Sequence, residues 1–167
     1  NFQASIVTAL ATLPQPVIVA VQGGCYTGGL ELALAGDIIL ASDNAVFADT
    51  HGKFALVPIW GMSQRLPRRV GQWKAREMSF TGLPVSGAEA ARIGLANHVV
   101  ADAELDAKAY ELAAAIAAQS RHSVFAYKQL YQEQADLPLN AGLAHEVFNS
   151  VGVGPDFLER VSGQFGK

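Results

Sequence analysis

The sequence predicts an α/β fold followed by a helical C-terminal segment, on three observations. An apolar stretch, Val17–Val21, runs into a turn bearing Gly23, Gly24, Gly28 and Gly29, and an apolar helix begins near Leu30. Short strand and helix patterns then alternate to about residue 100, as expected for strands covered by helices. After Asp102 the helical period continues with no intervening strand pattern. A boundary is therefore expected near residue 101, with residues 1–101 as the core carrying the active-site loop and 102–167 as the helical segment.

Each element has a local reason. Phe2, Ile6, Leu10 and Leu13 recur at helical spacing, so residues 2–12 read as an amphipathic helix that Pro14 and Pro16 stop. Ile38–Ala41 reads as a second buried strand opened by Asp37, and Asp43 with Asn44 as a turn. Val46–Ala48 is a third strand leading into Asp49, Thr50 and His51. If the chain stays extended there, Asp49 and His51 share a face, because strand side chains alternate with period two. The loop 52–61 carries Phe54, Leu56, Val57, Ile59 and Trp60, apolar enough to wall a pocket or, more commonly, to cover a core.

Residues 63–80 read as a helix in two pieces broken around Pro67 and Gly71. Arg65, Arg68, Arg69, Lys74 and Arg76 cluster along it, and a solvated face is the commoner meaning of such a cluster than a phosphate site. Ser86 is placed to cap a short helix, Ala88–Ile93, that Gly94 ends, and Asn97–Val100 is a further strand. Residues 104–119, 121–135, 139–150 and 155–165 complete the chain as helices.

Composition narrows the function classes. The 167 residues are 50% hydrophobic and 16% charged, enough to bury one substantial core. A net charge of -3 supplies no basic field for nucleic acid, and the apolar runs are too short to cross a bilayer. A single cysteine, Cys25, is compatible with a reducing compartment; the expected location is the cytoplasm, or the mitochondrial matrix in a eukaryote. His51, His98, His122 and His145 are dispersed with no short-spaced ligand pair, so no metal site is expected. No nucleophile elbow, P-loop or dinucleotide fingerprint is present.

The strand–turn–helix stretch carries the chemistry. The first turn of a helix leaves backbone N–H groups unpaired and partially positive, and Gly28 and Gly29 remove the side chains that would keep an oxygen away from them. Glu31 lies within one turn of those groups. A carboxylate beside an electrophilic pocket suits enolate chemistry.

The residues Ala20–Gly23, Gly28–Ala33 and Gly36–Ile38 resemble the signature of the crotonase (enoyl-CoA hydratase/isomerase) superfamily. Ala45–Phe47, Pro58, Gln64–Pro67, Val70–Gly71, Thr81–Gly82, Ala88–Ala91, Gly94–Leu95 and Asn97–Val100 follow in the family's order, so the resemblance covers nearly the whole chain. It implies a crotonase-like β-β-α spiral core, present here in part, then a helical oligomerisation segment that builds a homotrimer or a dimer of trimers. The apolar faces of that segment either meet other subunits or cover the core of their own chain. In the family, further strand–helix units come before this region and supply the first oxyanion donor and most of the coenzyme A adenine loop; this sequence is expected to lack them, either as a fragment of a longer protein or with that part removed.

The resemblance also implies an activity: a hydratase-like lyase that adds water across C2=C3 of a 2-enoyl-CoA thioester. It needs no permanently bound cofactor, coenzyme A arriving as part of the substrate. Gly28 would give the second oxyanion N–H, and Glu31 matches one of the two catalytic glutamates. At the position of the other glutamate stands His51, an imidazole able to hand on a proton near neutral pH. That substitution counts against the family's isomerases. Gly29, Tyr26, Ile59 and Trp60 are expected to line the substrate site, the last two where many members have Gly-Ala, and Thr27 replaces a common glycine. Phe157 and Arg160 match positions that, in the family, meet the adenine and 3'-phosphate of coenzyme A from a neighbouring subunit. A hydratase-lyase using the first glutamate alone, and a non-catalytic acyl-CoA-binding subunit, are the alternatives.

Overall fold

In the computed structural model, which describes residues 2–165, the apolar stretch after Pro16 forms strand β1 (Ile18–Val21). It pairs in parallel with β3 (Ile38–Ser42), Ile18 opposite Ile38 and Val21 opposite Ala41, and β3 pairs in parallel with β6 (His98–Val100). A second three-stranded sheet, in the order β2-β4-β5, is built from β2 (Gly24–Tyr26), β4 (Val46–Ala48) and β5 (Val85–Ser86). Within it β2 and β4 run parallel, whereas β5 is antiparallel to β4.

The chain crosses from the first sheet to the second twice, side by side. One crossing is Gln22–Gly23, the other Asp43–Ala45. Asn44 joins them: its Oδ1 accepts the Gly23 N–H at 3.0 Å, and the Val46 N–H donates to the Gly23 carbonyl at 2.8 Å. The glycine turn expected before the helix therefore contains a strand, β2. Three residues beginning with glycine carry no period-two signal, and it is pairing with β4 that makes them extended.

Helix α1 (Phe2–Ala11) forms where expected, yet Val7 is its only buried residue and Phe2 and Ile6 are exposed. Helix α2 spans Gly28–Ala33 and so begins two residues before the apolar period does. Helices α3 (Met62–Val70) and α4 (Gln72–Thr81) break at Gly71, with Pro67 inside α3. The basic cluster along them is occupied locally. Arg69 donates to the carbonyls of Gly36 at 2.9 Å and Asp37 at 3.0 Å, Arg65 to that of Trp60 at 2.6 Å, Lys74 pairs with Glu77, and Arg76 lies over the Trp73 ring. Helix α5 (Gly87–Arg92) is capped by Ser86, whose hydroxyl accepts the Glu89 N–H at 3.2 Å.

Leu30, Ile39, Phe47, Met62, Leu66, Met78 and Leu95 are fully buried and form the centre of one apolar core. Burying each such side chain contributes about 1.5–3 kcal/mol. Glu31 follows Leu30 directly, so packing of that leucine fixes the height at which the carboxylate stands.

The remaining helices are α6 (Leu105–Ala117), α7 (Arg121–Gln134), α8 (Leu139–Phe148) and α9 (Phe157–Phe165). The chain divides into two units inside α6. One unit holds the chain through Leu13 together with Val17–Ala113, the other Pro14–Pro16 with the chain from Ala114 onward. In the second unit the buried Lys128 donates from Nζ to the Gln15 carbonyl at 2.9 Å, tying the proline segment to α7. Among the described residues no helix is long and apolar enough to cross a membrane.

Candidate active site

Glu31 lies in the first turn of α2 and is only 2% exposed. A carboxylate taken out of water without partners is heavily penalised, so its surroundings have to supply donors. They come from the backbone at the start of α3: Oε1 accepts the Trp60 N–H at 2.8 Å and the Met62 N–H at 3.1 Å. Gly61, between them, has φ 117°, a left-handed conformation that lets two N–H groups so close in sequence converge on one oxygen. The other oxygen, Oε2, faces His51 Nε2 at 3.5 Å.

His51 opens a 3-10 turn, His51–Phe54, and is 7% exposed; Asp49 is 3% exposed. Asp49 Oδ1 lies 2.6 Å from His51 Nδ1 and also accepts the His51 backbone N–H at 3.2 Å. Asp49 and His51 are together, as their spacing suggests, but for a different reason. The chain turns after Thr50 instead of staying extended, and the aspartate caps the turn from two residues back. The result is a buried line of three titratable side chains, Asp49, His51 and Glu31.

The turn entering α2 is strained. Thr27 has φ 50° and ψ -111°, a conformation that a glycine adopts freely and that costs a β-branched residue about 1–3 kcal/mol. It is held from three sides: its N–H donates to the Ala48 carbonyl at 3.0 Å, its carbonyl accepts the Glu31 N–H at 2.9 Å, and its hydroxyl pairs with that of Thr50. Thr50 stands between Asp49 and His51, so the strained turn and the histidine turn are joined directly. The N–H groups of Gly28 and Gly29 follow, ahead of any intrahelical acceptor. Trp60 packs over Gly28 so closely that a Cβ on Gly28 would lie 2.8 Å from the ring.

The family model described as Enoyl-CoA hydratase/isomerase matches residues 2–153. The chain belongs to this family. It is 41% identical over 140 residues to an Arabidopsis thaliana protein named probable enoyl-CoA hydratase 1, peroxisomal, covering 84% of this chain and 53% of that one. Against a Proteus mirabilis protein named carnitinyl-CoA dehydratase, identity is 42% over 135 residues, covering 81% and 52%. The chain thus spans about half the length of the curated relatives it matches. Among solved structures, the enoyl-CoA hydratase from Bacillus anthracis superposes with a TM-score of 0.93 at 33% identity, over 99% of this chain and 65% of that one. The architecture is the crotonase fold, an α/β core followed by C-terminal helices.

Within this member of the enoyl-CoA hydratase/isomerase family, the structure brings Glu31, Gly28, His51 and Trp60 together, with Gly29 exposed beside them. Tyr26, on β2, is half-exposed, as is Ile59. Phe157 and Arg160 lie in the helical unit, where both line a cavity of about 620 Å3 with Ser120, Val124 and Tyr127. Arg160 is engaged there: it donates to the Asp156 carboxylate and to the Ala118 carbonyl, the latter at 2.9 Å. Arg160, then Ser120, hold the Asp156 carboxyl below the usual carboxylate range. To meet a phosphate, that guanidinium would have to share its donors with Asp156.

Two functional groups left no trace in the sequence reading, the N–H donors of Trp60 and Met62. Backbone groups have no residue code, and only Gly61 between two apolar residues hinted at a special turn. Cys25, on β2, is buried, and burial pushes its thiol up to about 11. Among the described residues no group of three histidine, cysteine or acidic side chains is placed to hold a metal ion.

Proposed function

We propose that the intact protein is a hydratase-like lyase that adds water across C2=C3 of a 2-enoyl-CoA thioester. The observation that carries this reading is Glu31: a buried carboxylate with one oxygen fixed by two N–H groups and the other directed at His51, one turn from the free N–H of Gly28. The names of the relatives, one a hydratase and one a dehydratase acting on coenzyme A thioesters, support the same class.

Attack of water at C3 moves electron density through C2 to the thioester oxygen. The Gly28 N–H donates to that oxygen as its charge develops. Glu31 Oε2 orients the water and takes its proton, while Oε1 stays fixed. The proton that completes C2 returns from the Glu31–His51 pair. Ile59, Trp60 and Tyr26 border the acyl group, and Phe157 with Arg160 contacts the nucleotide end of a coenzyme A held by a neighbouring subunit. Exposed apolar side chains on α8 and α9, among them Leu143, Val147, Phe148 and Leu158, support contacts between subunits.

Hydration of a short 2-enoyl-CoA by the intact protein, followed as loss of the conjugated enone absorbance, tests the proposal. Glu31→Gln keeps the size and the acceptor for the two N–H groups but cannot take a proton. Its kcat is expected to fall by about 100-fold or more, with KM changed far less. A wild type that binds acyl-CoA without turnover, or a Glu31→Gln variant as fast as wild type, overturns the reading and leaves the binding-subunit alternative.

A further inference from the structure

Asp49 has no part in the reaction so far, yet it is the best-placed partner of His51. Its Oδ1 meets Nδ1 at 2.6 Å and takes the backbone N–H at 3.2 Å, so both the ring and the backbone of His51 are referred to one carboxylate oxygen. With Nδ1–H donating to Asp49, the tautomer is set, and the nitrogen left over, Nε2, is the one facing Glu31 Oε2 at 3.5 Å. Groups that hand on protons often sit at looser distances before substrate is bound. All three side chains are buried, so no bulk water competes for these contacts.

We propose that Asp49 is a positioning residue, which locks His51 with Nε2 toward Glu31 and so makes Glu31 and His51 one proton-handling pair. This deepens the hydratase reading above and rests on it. In the hydration direction an O–H bond of water breaks as its oxygen bonds to C3, and that proton passes to Glu31 Oε2. The π electrons of C2=C3 go to C2, and a C–H bond forms there with the proton given up by the Glu31–His51 pair. One proton is taken and one returned, so the pair ends as it began. Asp49 touches neither water nor thioester. Its partner at Nδ1 decides only which nitrogen of His51 reaches Glu31.

The test uses Asp49→Asn, His51→Gln and the double variant in the intact protein, with kcat and KM measured separately on the same enoyl-CoA. Asparagine keeps an acceptor for the turn but is no longer a fixed anion, and its amide can present N–H to Nδ1 and select the wrong tautomer. The expected result is a fall in kcat of about tenfold or more in each single variant, with KM within about twofold. The double variant should be no slower than the slower single one, because both changes break the same pair. An aspartate that merely holds the turn would instead add its effect to that of His51→Gln. Additive losses, or an Asp49→Asn variant within about twofold of wild-type kcat, overturn the inference while Glu31→Gln still upholds the hydratase reading. Should Asp49→Asn not fold, His51→Gln decides alone: unchanged kcat there overturns the pair. A wild type that hydrates no enoyl thioester overturns both.

Discussion

Gly28 answers to two requirements at once. The helix starts on it, and the Trp60 ring occupies the space where its side chain would go. A methyl group added there is expected to cost about 1–3 kcal/mol in urea unfolding, the usual range for overpacking a filled site. In a Trp60→Ala background the same Gly28→Ala change should cost less, since the ring is gone. Gly28 and Glu31 were readable because their meaning is local: a small residue and a carboxylate one turn apart at a helix start. Asp49 and His51 were readable as neighbours from their spacing, although the turn that joins them was not. Trp60 and Met62 were not readable as holders of Glu31, since the groups involved are backbone N–H separated from it by about thirty residues of chain.

At the level of elements, the boundaries that side chains enforce were legible and those that pairing enforces were not. Ser86 marks the start of α5 because its hydroxyl satisfies the Glu89 N–H. Ser86→Ala is therefore expected to lower stability by about 1 kcal/mol, measured by urea unfolding with m unchanged. Gly71 and Gly94 likewise ended helices where the sequence placed the breaks. Strand β2 was missed because Gly24–Tyr26 has no strand character of its own and is extended by β4 alongside it. Of the apolar face read into α1, Phe2, Ile6 and Leu13 are exposed and only Leu10 is partly buried, while the buried residue of the helix, Val7, lies outside that set.

Across the whole molecule, the α/β core and the run of helices after it were both legible, from the alternation of periods before residue 100 and its loss afterwards. The division of the chain was expected near residue 101, whereas contacts separate the two units within α6. A helix that serves both units continues its period through the division and leaves no mark there. The link from Lys128 to Gln15 was also invisible, being a long-range bond to a carbonyl. Removing that charged donor by Lys128→Met should lower stability by about 1.5–3 kcal/mol. A fall in Tm of about 2–4 °C per kcal/mol would register it in thermal unfolding.

The way Glu31 is held separates two properties that many binding sites confound. Because main-chain N–H groups grip the carboxylate, the side chains at the same positions are not needed for that grip. The side chain at position 60 can therefore change, widening or narrowing the space beside Gly28, while the carboxylate stays at its post. The shape of the space beside Gly28 is thereby set independently of the hold on Glu31.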